Sequence, residues 1–349
     1  MRKKSMFTRS AAFVMAAVLG VTAPGCGMIG QSGNETGAQA DGKDAGSSGS
    51  GLTDASSENG VGRYVESTVY ESDGFSDMVQ TQTLSDGQIM FLNCLSRQKV
   101  VSDDGGSTWD AAADDAFFAF IDDHYAAAAA IAKDGTRAVI GMDQTGSPAD
   151  GKNEYTYRLY IYNTDNTSTQ ILIDLPDAES HLGTLAFDDQ GALYVYAAGC
   201  NNIYKVDISA GTSEKLLTLA ANTNLMQCRG NMLMCMTGEK IFLYDLEKKS
   251  FVEDETLDSF VKKNYKKLEW TGSGYTAYAF LGADNTVYIA GKKGLYRHVI
   301  GDSVVEQVID AKMSSNDIMA VAMNDSNEVL TAYSNGKIVR LGYEAGQDD

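Results

Sequence analysis

Lys262, Lys263, Lys266 and Lys267 crowd into six residues of a chain that carries 47 acidic and 28 basic side chains. A basic run in so acidic a sequence can meet an anionic wall polymer, lipid headgroups or an acidic protein; it can equally be the solvated face of a short helix. A second concentration is aromatic. Phe117, Phe118 and Phe120 lie among Asp114, Asp115, Asp122 and Asp123, as a partner contact or as a plug under a connecting loop. These two patches supply the candidate partner-binding residues Lys262, Lys263, Lys266, Lys267, Phe117 and Phe118.

Residues with sharper chemistry are scattered. His124, His181 and His298 share no metal-ligand spacing, although His124 and His181 both precede first strands of successive repeats and so belong near one end of the fold. Cys26, Cys94, Cys200, Cys228 and Cys235 contain no CxxC pair. Cys228 and Cys235 flank an Arg229-Gly230-Asn231 turn, which offsets them by about two residues across a hairpin, too far for an easy bridge. The last four cysteines read as small buried hydrophobes. Asn163-Thr164-Asp165-Asn166-Thr167 lacks the glycine and glutamate of a calcium loop, and no phosphate loop, GxSxG or HExxH occurs. The expectation is therefore no catalytic residue, no metal and no cofactor.

The elements that must carry these patches are strands. The chain has 349 residues, with 35 glycines, 3 prolines, 18 tyrosines and 12 phenylalanines. Apolar and aromatic runs separated by Gly, Asn and Asp indicate an all-β fold. From about Gly62 a unit recurs: apolar strand, polar turn, second strand, aromatic third strand, turn, fourth strand. Its first turns centre on residues 87, 135, 191, 230, 285 and 327, at spacings of 48, 56, 39, 55 and 42. Its third strands are Tyr157–Tyr162, Asn202–Val206, Lys240–Tyr244, Gly294–Arg297 and Gly336–Arg340. Such periods, with about four strands each, belong to β-propellers.

Six units are countable, the sixth short of a fourth strand. The stretch Arg63–Tyr70 can fill that place, closing the ring with an N-terminal strand and leaving no open edge. The expectation is a single propeller over residues 62–349 with six four-stranded blades, seven being the alternative. Between units, Asp254 to Leu268 places Leu257, Phe260, Val261, Tyr265 and Leu268 at helical spacing, with Asp258 and Lys262 as an i,i+4 pair. That predicts a short amphipathic helix laid on one face of the ring.

Ser102-Asp103-Asp104-Gly105-Gly106-Ser107-Thr108-Trp109 fits Ser-x-Asp-x-Gly-x-Thr-Trp. It resembles the Asp-box, or BNR repeat, of sialidase-like propellers, a hairpin turn between the two outer strands of a blade. Asp104 can accept turn amides, Gly106 can take positive φ, and Trp109 can fold beneath, with Ser102 and Thr108 completing the motif. In those families the box is structural. The resemblance to sialidases stops there: no proline follows Arg63-Tyr64, and the arginines of the domain are Arg63, Arg97, Arg137, Arg158, Arg229, Arg297 and Arg340, three of them at equivalent places in third strands away from the channel.

Residues 1–25 read as a signal peptide, with Arg2, Lys3, Lys4 and Arg9 before an apolar core from Ala11 to Val21. Ala23-Pro24-Gly25-Cys26 then resembles a bacterial lipobox, which implies lipidation at Cys26 and a membrane-anchored, extracytoplasmic lipoprotein; simple secretion is the alternative. Residues 26–61 are Gly-, Ser- and Asn-rich with little to bury, which predicts a disordered tether. Loss of the leader removes four positive charges and takes the net charge from −19 to −23. That charge argues against nucleic acid as a partner.

Across residues 62–349 the sequence resembles BNR (Asp-box)/WD40/YVTN-like propeller lipoproteins. The resemblance implies a surface lipoprotein that binds or scaffolds a protein or cell-wall glycan without catalysis. Two other functions stay open: a small-molecule sensor or accessory component of an ABC-type transport system, and, less favoured, a degenerate sialidase-like glycosidase.

Overall fold

The computed structural model of the chain describes residues 63–71, 79–83, 88–93, 98–113, 118–119, 125–144, 155–177, 179–223, 225–237, 240–268, 278–282, 285–291, 294–309, 318–324, 326, 328–333 and 337–344. The expected leader and tether, residues 1–61, lie outside them, as do Cys26, Cys94, Phe117 and His124.

Strand β1 (Arg63–Glu71) precedes five sets of four: β2 (Val79–Thr83), β3 (Ile89–Asn93), β4 (Gln98–Ser102) and β5 (Asp110–Ala113) in blade one; β6 (Tyr125–Ile131), β7 (Arg137–Gln144), β8 (Tyr155–Tyr162) and β9 (Ser168–Ile171) in blade two. Blade three holds β10 (His181–Phe187), β11 (Leu193–Ala198), β12 (Asn202–Asp207) and β13 (Thr212–Thr218). Blade four holds β14 (Leu225–Arg229), β15 (Met232–Met236), β16 (Ile241–Asp245) and β17 (Ser250–Val252), followed by the helix α1 (Glu255–Leu268). Blade five holds β18 (Tyr278–Leu281), β19 (Thr286–Gly291), β20 (Gly294–Val299) and β21 (Glu306–Ile309). Blade six holds β22 (Ile318–Met323), β23 (Val329–Tyr333) and β24 (Lys337–Glu344).

Each set forms an antiparallel sheet in sequence order, and the sixth sheet runs β22-β23-β24-β1. The chain is thus a six-bladed β-propeller. β1 supplies the missing outer strand, in register from Arg63 opposite Glu344 to Glu71 opposite Lys337, with a bulge between Thr68 and Tyr70. Lys337 and Glu71 also pair at 2.7 Å. The expected six blades and their N-terminal closure are both present.

Blades bury both faces against their neighbours, so alternation gives way to continuous burial in second strands: Leu193 to Ala197 of β11 are all buried. The core is accordingly a set of inter-blade layers. Ile89, Phe91 and Val100 of blade one meet Leu330, Ala332 and Ile338 of blade six, and Ile140, Leu159 and Ile161 of blade two meet Leu185, Val195 and Val206 of blade three. The repeated turns need left-handed backbone at a single residue, which Gly135 (φ +88°) and Gly191 (φ +83°) supply.

Cys228 sits opposite Leu233, and Cys235 opposite Met226, which is the two-residue offset expected. Both are free, as is Cys200. Burial raises both the Cys228 and the Cys235 thiols, Cys235 to about 12, so neither is a ready nucleophile.

Candidate binding surface

The Ser102–Trp109 turn joins β4 to β5, the two outer strands of blade one. Asp104 Oδ1 accepts the amides of Ser107 (2.9 Å) and Thr108 (2.8 Å) and the Ser102 hydroxyl (2.8 Å), while Oδ2 accepts the Thr108 hydroxyl at 2.6 Å. The Thr108 side chain and amide and the Ser102 hydroxyl together hold this carboxyl well below the usual carboxylate range. Trp109 Nε1 donates to the Gly106 carbonyl at 3.1 Å, and its ring lies 5.7 Å from Phe91 and 6.4 Å from Tyr70. Asn324 donates across to the Gly105 carbonyl at 2.8 Å. The turn therefore staples blade one to blade six, and its exposed carboxylate is taken up by hydrogen bonds within the turn.

The helix α1 begins at Asp254, whose Oδ1 caps the Leu257 amide at 2.8 Å. Leu257 and Val261, one turn apart, are buried among Met234, Ile241 and Leu243 of blade four and Phe280, Ile289 and Leu295 of blade five. Phe260 rests against Tyr296 at 5.0 Å. The helix therefore covers the seam between two blades, because its apolar stripe finds the hydrophobic inter-blade layer. Asp258, expected to pair with Lys262, is instead met by Lys240 at 2.8 Å.

Lys262 and Lys263 are exposed, on the side of the helix turned away from Leu257 and Val261. The helical period brings positions 266 and 267 to that same side; the side chains of Lys266 and Lys267 lie outside the described residues. The aromatic candidate fares differently. Phe118 is fully buried with Met90, Ile131, Val139 and Tyr160, plugging the seam between blades one and two, so it is withdrawn as a contact residue.

His181 opens β10 with its ring 4.9 Å from Tyr157, whereas His298 is buried in β20, so these two serve separate sites. Among the described residues no group of three or more His, Cys, Asp or Glu could hold a metal ion. Arg158 and Arg297 meet Asp143 and Glu306 (both 3.4 Å) and Arg340 meets Glu328 (3.9 Å), all in third strands as expected.

Two features escape sequence reasoning. Arg229, buried at the end of β14, donates to the carbonyls of Leu281 (3.3 Å) and Met323 (3.2 Å), the last residues of β18 and β22. One guanidinium so ties the innermost strands of blades four, five and six. The second is a groove of about 270 Å³ between blades three and four, lined by Thr218 and Ala220 on one side and by Lys240, Phe242, Phe251 and Glu253 on the other. Phe251 lies 6.3 Å from Phe242 and 5.3 Å from Tyr244 and is 41% exposed. Lys240 Nζ stands 5.3 Å over the Phe242 ring. The signal in the sequence is the aromatic series Phe242, Tyr244, Phe251, which by itself looks like core.

No family model matches the chain, and no curated protein matches it in sequence. Solved structures do resemble it. A streptogramin B lyase structure superposes with a TM-score of 0.52 at 12% identity, over 80% of this chain and 98% of that one. Virginiamycin B lyase from Staphylococcus aureus gives 0.49 at 12% identity, over 80% and 99%. YCF48 from Cyanidioschyzon merolae gives 0.45 at 10% identity, over 79% and 98%. At such identities the likeness shows the propeller fold alone. No helix among the described residues is long and apolar enough to cross a membrane.

Proposed function

We propose that this propeller is a non-enzymatic binding or scaffolding module of the extracytoplasmic surface, anchored by lipid at Cys26 through the 26–61 tether. In this reading the Ser102–Trp109 turn is an Asp-box kept for its structural role. One observation carries the binding function: α1 buries Leu257 and Val261 while presenting Lys262 and Lys263 to solvent on an acidic protein. Fixed charge on a rigid element is what an anionic partner surface requires, because holding it there costs little further ordering on binding. The partner is an acidic protein or an anionic cell-wall glycan.

The test is co-sedimentation with purified cell-wall sacculi, beside affinity capture from membrane extracts. The chain and its Lys262, Lys263, Lys266 and Lys267 all-to-Ala variant run in parallel. Retention of the chain that falls at least tenfold in the variant supports the reading. Equal retention of both, or of neither, overturns it.

A further inference from the structure

The seam between blades four and five and the one between blades three and four are built alike, but among the described residues only the first is capped by a helix. In β20, Tyr296 stands opposite Ile289 and His298 opposite Val287; in β16, Phe242 stands opposite Cys235 and Tyr244 opposite Leu233. Phe242 and Tyr244 thus occupy in blade four the places of Tyr296 and His298 in blade five. In blade five both are covered by the start of the connection that follows β17: Phe260 lies on Tyr296 at 5.0 Å, and Asp254 meets His298 at 2.7 Å. In blade four Tyr244 is buried beneath Phe251, and Phe242 is the place left half-exposed. The connection that crosses the other seam is only residues 219–224, too short for a helix of that length. The groove over Phe242 and Phe251 lies there.

From this internal template we propose that the groove between blades three and four docks an amphipathic helix of another protein, with an aromatic residue seated on Phe242 and Phe251 as Phe260 sits on Tyr296. The rim sets its charge. Lys240 faces two carboxylates, Asp258 at 2.8 Å and Glu253 at 3.9 Å, so negative charge is in excess, and the Glu253 side chain is 77% exposed. The fitting helix is cationic beside its aromatic anchor. Helix-in-groove recognition of this kind draws affinity from the buried anchor and orientation from rim charge. The site differs from the lysine face of α1, and the two proposals fail separately.

A synthetic fluorescein-labelled peptide of residues 255–268 is the natural probe, because it carries Phe260 and four lysines against Glu255 and Asp258. Fluorescence anisotropy with the full chain should show saturable binding. That binding should weaken at least tenfold with Phe251→Ser in the chain, at least tenfold with Phe260→Ser in the peptide, and severalfold with Glu253→Lys. Glu253 is exposed and Phe251 is a surface residue at 41% exposure, so both variants should keep one cooperative thermal transition well above the assay temperature, which excludes misfolding as the cause. Absence of saturable binding, or binding indifferent to Phe251→Ser, overturns the proposal. So does binding of a chitooligosaccharide that depends on Phe251 where the peptide does not bind, since it would assign the groove to sugar.

Discussion

His298 Nε2 lies 2.7 Å from Asp254 Oδ2, and this contact locks the start of α1 to blade five. The other ring nitrogen faces the Val304 carbonyl at 2.8 Å, and Asp254 Oδ2 also accepts the Gly301 amide at 2.9 Å. Both side chains are essentially without solvent contact. His298→Ala leaves the buried Asp254 carboxylate without its ring partner, which should cost about 3 kcal/mol. Urea unfolding of the two proteins measures it.

The same carboxylate gives stability a pH dependence. Burial by itself raises the Asp254 pKa, but the Gly301 and Leu257 amides and the His298 ring outweigh it, and the net shift is downward. A carboxyl depressed on folding stabilises the native state above its unfolded pKa, about 3.9, and that contribution disappears as pH falls through the lower folded value. The stability gap between the chain and Asp254→Asn should therefore narrow as pH falls below about 4. A gap independent of pH down to 2 contradicts this.

Arg229→Met should lower the melting temperature by several degrees, since two strand-end carbonyls lose their shared donor at a cost of about 2 kcal/mol. Amide exchange should quicken in β18 and β22 more than in β6, because the first two receive that guanidinium.

Gly106→Ala in the blade-one turn meets two obstacles. Its φ is +94°, and an added Cβ would stand 2.7 Å from the Leu330 side chain of blade six. A loss of about 1–2 kcal/mol is expected, read by denaturation and by a shifted Trp109 fluorescence.

Phe118→Ala should cost about 3–4 kcal/mol, as for other large aromatic truncations in a core, and leave partner binding untouched at equal folded concentration. Lys262→Ala should do the reverse, changing stability by less than about 0.5 kcal/mol.

The repeat was legible because its turns must be made from Gly, Asn and Asp whatever surrounds them, and because third strands keep their aromatic alternation. Closure by β1 was legible because an incomplete sixth unit and an orphan strand solve one another. For Phe118 the sequence left plug and contact patch both open, because the two have the same local pattern, and only its burial decides for the plug. The period of α1 revealed an apolar stripe but not what would cover it, and Asp258 took a partner from a turn that sequence distance hides. The groove lies where no described helix covers Phe242, and no residue within the groove signals that in the sequence.

The pairing of β1 with β24 makes blade six the clasp of a necklace. Blades one to five each fold from one contiguous stretch, so they can form while the chain is still being made. The clasp must wait for the last strand to arrive and find the first. Until then blade six lacks its outer strand, and a cut anywhere between β1 and β2 would leave the sequence nearly whole yet loosen the joint that holds the circle.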